Sequence, residues 1–159
     1  MSYTSRLPLF LTVQRHYFET SADEVAVHPL RQRLQEARDQ GRPIILVQWD
    51  GGLFPQSADT FSRGWVLHPD LRAEEGDLLV RAGSTDPFAG QLPGGDTTLA
   101  AHLQTLGCTE LDVIALPGAP ELEAAQQCAG QYGLTLHPMP LDLAETGAEE
   151  RSTETAPAR

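Results

Sequence analysis

The chain has 159 residues, which is the length of about one domain, and its 40% hydrophobic content is ordinary for a globular protein. Eleven basic residues stand against 22 acidic ones, so the formal net charge is −11. A surface this acidic repels nucleic-acid phosphates and anionic lipids, and we therefore expect neither a nucleic-acid partner nor a membrane partner. Every basic residue is arginine, which excludes chemistry that needs a lysine, such as a Schiff base or a Walker P-loop.

The N-terminal sequence and the cysteine content indicate the cellular location of the protein. The apolar stretch near the start is too short for a signal peptide, and no apolar run reaches the roughly 18 residues of a membrane span. The two cysteines, Cys108 and Cys128, are too few for a four-thiolate zinc site and do not suggest a secreted disulfide scaffold. We expect a cytoplasmic protein.

Strand-like and helix-like segments alternate along the chain. Apolar runs predict strands over residues 7–13, 43–49, 77–82, 111–116 and 134–139. Helical spacing predicts helices that begin at Pro29, after an N-cap at Asp96, and at Pro120. Residues 50–76 form a long connection rich in Gly, Pro, Ser and Asp.

This alternation predicts an α/β fold, a three-layer α/β/α sandwich with a mainly parallel sheet of about five strands. Residues 1–143 form the domain, and residues 144–159 form a low-complexity acidic tail that cannot bury enough apolar surface to order itself. Ligands bind at the carboxyl ends of parallel strands, so segments 12–16, 81–88 and 116–121 are expected to face one crevice.

Four segments of the chain, taken in order, resemble the isochorismatase-like cysteine hydrolases, which include nicotinamidases and N-carbamoylsarcosine amidases. Residues 11–18 (Leu-Thr-Val-Gln-Arg-His-Tyr-Phe) are similar to the family's opening Asp-Val-Gln-Asn-Asp-Phe. Residues 64–71 (Gly-Trp-Val-Leu-His-Pro-Asp-Leu) are similar to its Gly-x-x-x-His-Pro-Glu-Leu. Residues 76–88 resemble its Gly-Asp-x-Val-x-Lys followed by Ser-Ala-Phe, and residues 103–111 resemble the helix that leads into its fourth strand.

The resemblance implies a catalytic Asp, Lys and nucleophilic Cys, and all three are replaced here. The Asp position is Thr12, the Lys position is Arg81, and the Cys position, counted back from the helix end, is Glu121. Thr12 cannot act as a carboxylate base, and an arginine stays protonated at any working pH. Two interpretations of Glu121 stay open: an acid that the helix dipole favours in a first turn, or an ion pair with Arg81 that fills the old pocket.

The resemblance also outlines the surroundings of the site. It places a pocket near His16, Trp49, Phe88, Leu116 and Pro117. Some family members bind a metal with an Asp and two His after the second strand, but two glycines follow Asp50 here, so we expect no metal and no cofactor.

One backbone feature follows from the same resemblance. The family has a non-proline cis peptide in the turn before its Cys, and the matching bond here is Leu116–Pro117. A cis bond before proline costs only about 0.5–1 kcal/mol, so the resemblance predicts that this bond is cis.

Three functions are compatible with these residues. The first is a catalytically inactive relative that acts as a binding or interaction module for a small molecule or a partner. The alternatives are a divergent hydrolase of a small amide or carboxylate that uses Glu121 and Arg81, and a structural subunit of a complex. The family's habit of self-association implies a homodimer or a higher homo-oligomer.

Overall fold

A computed structural model describes residues 6–19 and 24–141, and the predicted tail lies outside these residues. Its strands and longer helices, in chain order, are β1 (Leu7–Phe10), α1 (Val27–Asp39), β2 (Ile45–Trp49), β3 (Leu78–Ala82), α2 (Leu99–Leu106), β4 (Glu110–Ile114), α3 (Pro120–Ala129) and β5 (Thr135–Pro138). Short 3-10 turns lie at Arg15–Phe18, Arg63–Trp65, Pro69–Leu71, Pro87–Ala89 and Gly130–Tyr132.

The strands form one five-stranded parallel sheet in the order β3-β2-β1-β4-β5. The predicted α/β architecture is therefore confirmed. The strand order reverses between β1 and β4, and the crevice beyond the carboxyl ends of such a pair is where open parallel sheets bind ligands.

Both faces of the sheet are covered. Helix α1 packs Leu30 and Leu34 against one face, where they join a buried cluster with Phe10 and Leu46. Helices α2 and α3 cover the other face, where Leu103 and Ala125 share a cluster with Trp49 and Phe88. Double coverage is the reason that the strands read as continuous apolar runs in the sequence.

The first strand is shorter than predicted, because the chain leaves the sheet after Phe10. The carbonyl of Val13 accepts a hydrogen bond from the His68 N–H at 2.8 Å, and the Arg15 N–H donates to the Val66 carbonyl at 2.8 Å. Residues 13–15 therefore pair with the segment around residue 67 instead of with β4.

The starts of two helices also differ from the predictions. Helix α1 begins at Val27, two residues before Pro29. The N-cap of α2 is Thr98 and not Asp96, because Thr98 has extended backbone directly before the helix and its hydroxyl accepts from the Ala101 N–H at 3.2 Å. Within the described ranges, no helix is long and apolar enough to cross a membrane.

Candidate functional site

Thr12 lies just past the end of β1 and is completely buried. Its hydroxyl oxygen accepts a hydrogen bond from the Leu116 N–H at 3.0 Å. This bond joins the chain after β1 to the turn after β4, at the point where the strand order reverses. Thr12 therefore holds the backbone of the crevice together and keeps the Leu116 N–H occupied.

Glu121 lies in the first turn of α3 and is only 2% exposed. The Tyr17 hydroxyl, from the 3-10 turn after β1, donates to Glu121 Oε2 at 2.5 Å. The other carboxyl oxygen, Oε1, is buried and has no hydrogen-bond partner among the described residues. One oxygen of the carboxyl is thus fixed by Tyr17, and the other keeps its accepting capacity unused.

Burial changes the acidity of both groups in this contact. It raises the pKa of the Glu121 carboxyl, while the Tyr17 hydrogen bond and the Glu121 backbone N–H act in the opposite direction. Burial and the neighbouring Glu121 carboxylate raise the pKa of Tyr17 above its usual value. Tyr17 therefore keeps its proton and remains the donor across the ordinary pH range.

A cavity of about 370 Å³ opens beside this contact. It is lined by Tyr17, Pro55, Gln56 and residues 116–121. The cavity lies beyond the carboxyl ends of β1 and β4, where the sheet topology places a ligand site. Of the predicted pocket residues, Leu116 and Pro117 line this cavity together with Glu121.

Arg81 lies elsewhere. Its Nε donates to Asp50 Oδ1 at 3.0 Å, and its guanidinium lies 5.0 Å from the Phe61 ring centroid and 5.3 Å from that of Trp65. It lines a second cavity of about 590 Å³ with Asp50 and Gln91.

The hypothesis of an Arg81–Glu121 ion pair is therefore wrong. No ion pair within the described ranges joins Arg81 to Glu121, and Arg81 pairs with Asp50 instead. The reason is strand adjacency: Arg81 pairs in register with Gln48 of the neighbouring strand β2, and Asp50 follows directly after that strand. The structure brings Thr12 and Glu121 to the same turn and leaves Arg81 beside a different cavity.

The remaining predicted pocket residues lie behind the site. Trp49 and Phe88 are 2% and 0% exposed and belong to the core. Trp49 Nε1 donates to the Leu11 carbonyl at 2.8 Å, which fixes the indole beneath the crevice. His16 is partly buried and stacks on the Tyr17 ring with centroids 4.0 Å apart, and burial lowers its pKa.

The Leu116–Pro117 bond is trans, so the predicted cis bond is wrong. The turn from Leu116 to Ala119 is closed by a hydrogen bond from the Ala119 N–H to the Leu116 carbonyl at 3.1 Å, and Gly118 has φ +75°. Proline followed by a glycine with positive φ is typical of a type II turn, which uses a trans proline. The assignment of Glu121 to the family's nucleophile position consequently rests on its place at the start of the helix after β4.

Sequence reasoning did not identify two residues that organise the site. Gln14 is fully buried, and its Nε2 donates to the carbonyls of Trp49 at 3.0 Å and Trp65 at 2.8 Å, while its Oε1 accepts from the Trp49 N–H at 2.9 Å. The available signal for Gln14 was its match to the Gln of the family's opening Asp-Val-Gln motif. Tyr17 gave no such signal, because its partner is 104 residues away in the chain.

Neither cysteine is placed as a nucleophile. Cys108 is buried in the core, its thiol donates to the Glu110 carbonyl at 3.3 Å, and burial raises its pKa. Burial also raises the pKa of Cys128, on the last turns of α3. A nucleophilic cysteine needs a lowered pKa, and neither thiol has one. Across residues 6–19 and 24–141, no group of three or more His, Cys, Asp or Glu side chains could hold a metal ion.

Comparison with solved structures identifies the fold. An isochorismatase from Pseudomonas putida has a TM-score of 0.65 and 21% identity, with 94% of this chain and 84% of that chain covered. The N-carbamoylsarcosine amidase of Thermoplasma acidophilum has a TM-score of 0.64 and 14% identity over 91% of this chain and 92% of that chain. A cysteine hydrolase from Pseudomonas syringae pv. phaseolicola has a TM-score of 0.64 and 15% identity, covering 84% of this chain and 70% of that chain.

The chain therefore has the isochorismatase-like fold, and the resemblance inferred from the motifs is confirmed at the level of the fold. No family model matches the sequence. No curated protein sequence matches it significantly.

Proposed function

We propose that this chain is a non-catalytic relative of the isochorismatase-like hydrolases that works as a binding module. One observation carries the proposal. At the start of the helix after β4, where the resemblance places a nucleophilic cysteine, the chain has Glu121, whose buried carboxyl is bound to the Tyr17 hydroxyl.

The chemistry of the three replaced positions supports the absence of hydrolysis. The Thr12 hydroxyl is engaged with the Leu116 N–H, and a threonine hydroxyl is no base. The Arg81 guanidinium is paired with Asp50, so it is not available to a reacting group beside Glu121. Within the described residues, the Glu121 carboxyl at the cavity has one side-chain hydrogen-bond partner, the Tyr17 hydroxyl.

The second candidate is a divergent hydrolase, and the raised pKa of the Glu121 carboxyl favours it. A buried carboxyl with a raised pKa beside a cavity has the properties of a general acid or base. In that case Glu121 activates a water molecule for attack on a small amide, and removal of its carboxylate abolishes turnover.

A hydrolysis assay separates the two candidates. The protein is incubated with isochorismate, nicotinamide and an N-carbamoyl amide, and the products are measured beside the Glu121→Gln variant. We expect no product above the blank from either protein. Steady hydrolysis of any substrate by the wild type, lost in Glu121→Gln, would overturn the non-catalytic proposal in favour of the hydrolase.

A further inference from the structure

We propose that the cavity at the start of α3 binds a small primary amine with an apolar body, taken up as its ammonium ion with an N–H donated to Glu121 Oε1. The inference rests on the proposed function, since it gives the binding module a ligand class. The evidence for this ligand class is the set of hydrogen-bond acceptors and donors in the cavity wall.

The acceptor that we assign to the ligand is the unpartnered oxygen of Glu121, a residue that lines the cavity. The side chain is 2% exposed, and Oε1 has no partner among the described residues, which is rare for a buried carboxyl oxygen. Tyr17 fixes Oε2 at 2.5 Å and so sets the orientation of the whole carboxyl group. A group that is held in place but lacks a donor is suited to a ligand that brings one.

Much of the cavity wall lacks free donors, although Gln56 and the Gly118 N–H also belong to it. Pro55, Pro117 and Pro120 have no N–H. The Leu116 N–H is bound to the Thr12 hydroxyl, and the Ala119 N–H is bound to the Leu116 carbonyl.

The groups at the helix start favour a cation over an anion. A helix N-terminus ordinarily attracts anions through its free N–H groups. Here the first residue of α3 is Pro120, which has no N–H, and the second is the acidic Glu121, so an anion would meet one donor fewer and a carboxyl. The net charge of −11 acts in the same direction over a longer range.

The size and lining of the cavity indicate how large and how apolar the rest of the ligand is. Its volume of about 370 Å³ lies near the lower end of ordinary ligand pockets, which suits one ring or a short aliphatic chain. The three prolines and Leu116 provide apolar surface for that body. Oε1 is itself buried, so binding of the ammonium requires a local movement of the cavity wall.

Isothermal titration calorimetry with three ligands of one shape tests the proposal. Benzylamine supplies an ammonium, benzyl alcohol a neutral donor, and benzoate an anion. On the wild-type protein at neutral pH we expect saturable binding of benzylamine with a Kd below about 10 mM, weaker binding of benzyl alcohol, and no binding of benzoate. This comparison needs no variant. Equal or tighter binding of benzoate, or no saturable binding of benzylamine, contradicts the proposal.

Two variants of α3 locate the site. Glu121→Gln keeps the shape of the side chain and removes its charge, and we expect at least a tenfold loss of benzylamine affinity. Glu123→Gln removes a charge from an exposed position in the same helical turn and is expected to leave the affinity within about twofold of the wild type. An equal loss in both variants would mean that benzylamine responds only to the overall charge of the protein.

The outcomes also separate this proposal from the preceding one. Turnover of nicotinamide or an N-carbamoyl amide contradicts the non-catalytic function and leaves the calorimetry unchanged. A preference for benzoate contradicts the amine site and leaves the absence of hydrolysis intact.

Discussion

At the scale of single residues, the Tyr17–Glu121 contact determines what the crevice can do. It joins the turn after β1 to the helix after β4 through one short hydrogen bond between buried groups. A carboxyl in this setting is desolvated, and Tyr17 supplies its only side-chain hydrogen bond within the described part of the chain. Both its stability contribution and its acidity should therefore depend on Tyr17.

Removal of the Tyr17 hydroxyl should destabilise the protein. Tyr17→Phe leaves the buried Glu121 carboxyl without its donor, and we expect a loss of about 2 kcal/mol in the free energy of unfolding, measured by urea denaturation. The matched control is Tyr132→Phe, which removes an exposed hydroxyl bound to Asp86 and should cost less than about 0.5 kcal/mol. Equal losses in the two variants would show that the Tyr17–Glu121 contact contributes no more to the free energy of unfolding than an exposed hydrogen bond does.

The raised pKa of Glu121 predicts a dependence of stability on pH. Because the folded state holds this proton more tightly than the unfolded chain does, the free energy of unfolding falls as pH rises through the folded pKa. Glu121→Gln lacks this titration. The stability of the variant relative to the wild type should therefore increase between about pH 4 and pH 7, by at most about 1.4 kcal/mol per pH unit. Tyr17 stays protonated throughout this range, and Arg81 faces Asp50, so neither group reverses the sign.

Urea denaturation of both proteins at several pH values measures this difference. A difference that stays constant across the range would mean that Glu121 has an ordinary pKa. A decrease with rising pH would mean that its charged form is favoured by the fold.

At the scale of elements, Gln14 holds three segments together. Its amide bonds the end of β2 at Trp49 and the 3-10 turn Arg63–Trp65 to the chain after β1. Gln14 is fully buried, and the Trp65 carbonyl also accepts from Gln48 Nε2 at 3.1 Å. Two side-chain amides therefore hold these segments together.

Replacement of Gln14 by methionine keeps the length of the side chain and removes all three hydrogen bonds. We expect a loss of about 3 kcal/mol in the free energy of unfolding by urea denaturation, because the N–H and the carbonyl of Trp49 lose their bonds to Gln14, while the Trp65 carbonyl keeps its bond from Gln48. Gln35→Met, on the exposed face of α1, should change stability by less than about 0.5 kcal/mol. A small effect at Gln14 would show that other groups replace its bonds.

The elements themselves were largely predictable, and the contacts between them were not. Strands β2, β3 and β5 lie within the predicted apolar runs, and β4 overlaps its run but begins one residue earlier, at Glu110, because a sheet covered on both faces selects such runs. The early end of β1 depends on its pairing with residues 66–68, and the choice of Asp50 as the partner of Arg81 depends on strand register. The Pro117-Gly118 pair in the sequence is typical of the type II turn that the structure has at 116–119. The family resemblance predicted a cis bond there instead.

At the scale of the whole molecule, the fold and the chemistry depend on different residues. The parallel sheet, its strand order and its crevice depend on apolar burial and would persist with many different side chains at the carboxyl ends of the strands. Hydrolysis of the kind that the resemblance implies would need three convergent groups, whereas here Thr12 bonds the backbone, Glu121 bonds Tyr17, and Arg81 bonds Asp50. We propose that this crevice does not catalyse hydrolysis, because these three groups do not converge on it.

Ammonia release from nicotinamide tests this claim most directly, because it reports amide hydrolysis without any assumption about the acyl product. Wild-type protein and Glu121→Gln are incubated with excess nicotinamide over many hours, with folding of the variant verified by circular dichroism. The account predicts that both proteins release ammonia no faster than the buffer blank. Ammonia release by the wild type that exceeds one equivalent per chain, and falls to the blank in Glu121→Gln, would contradict it.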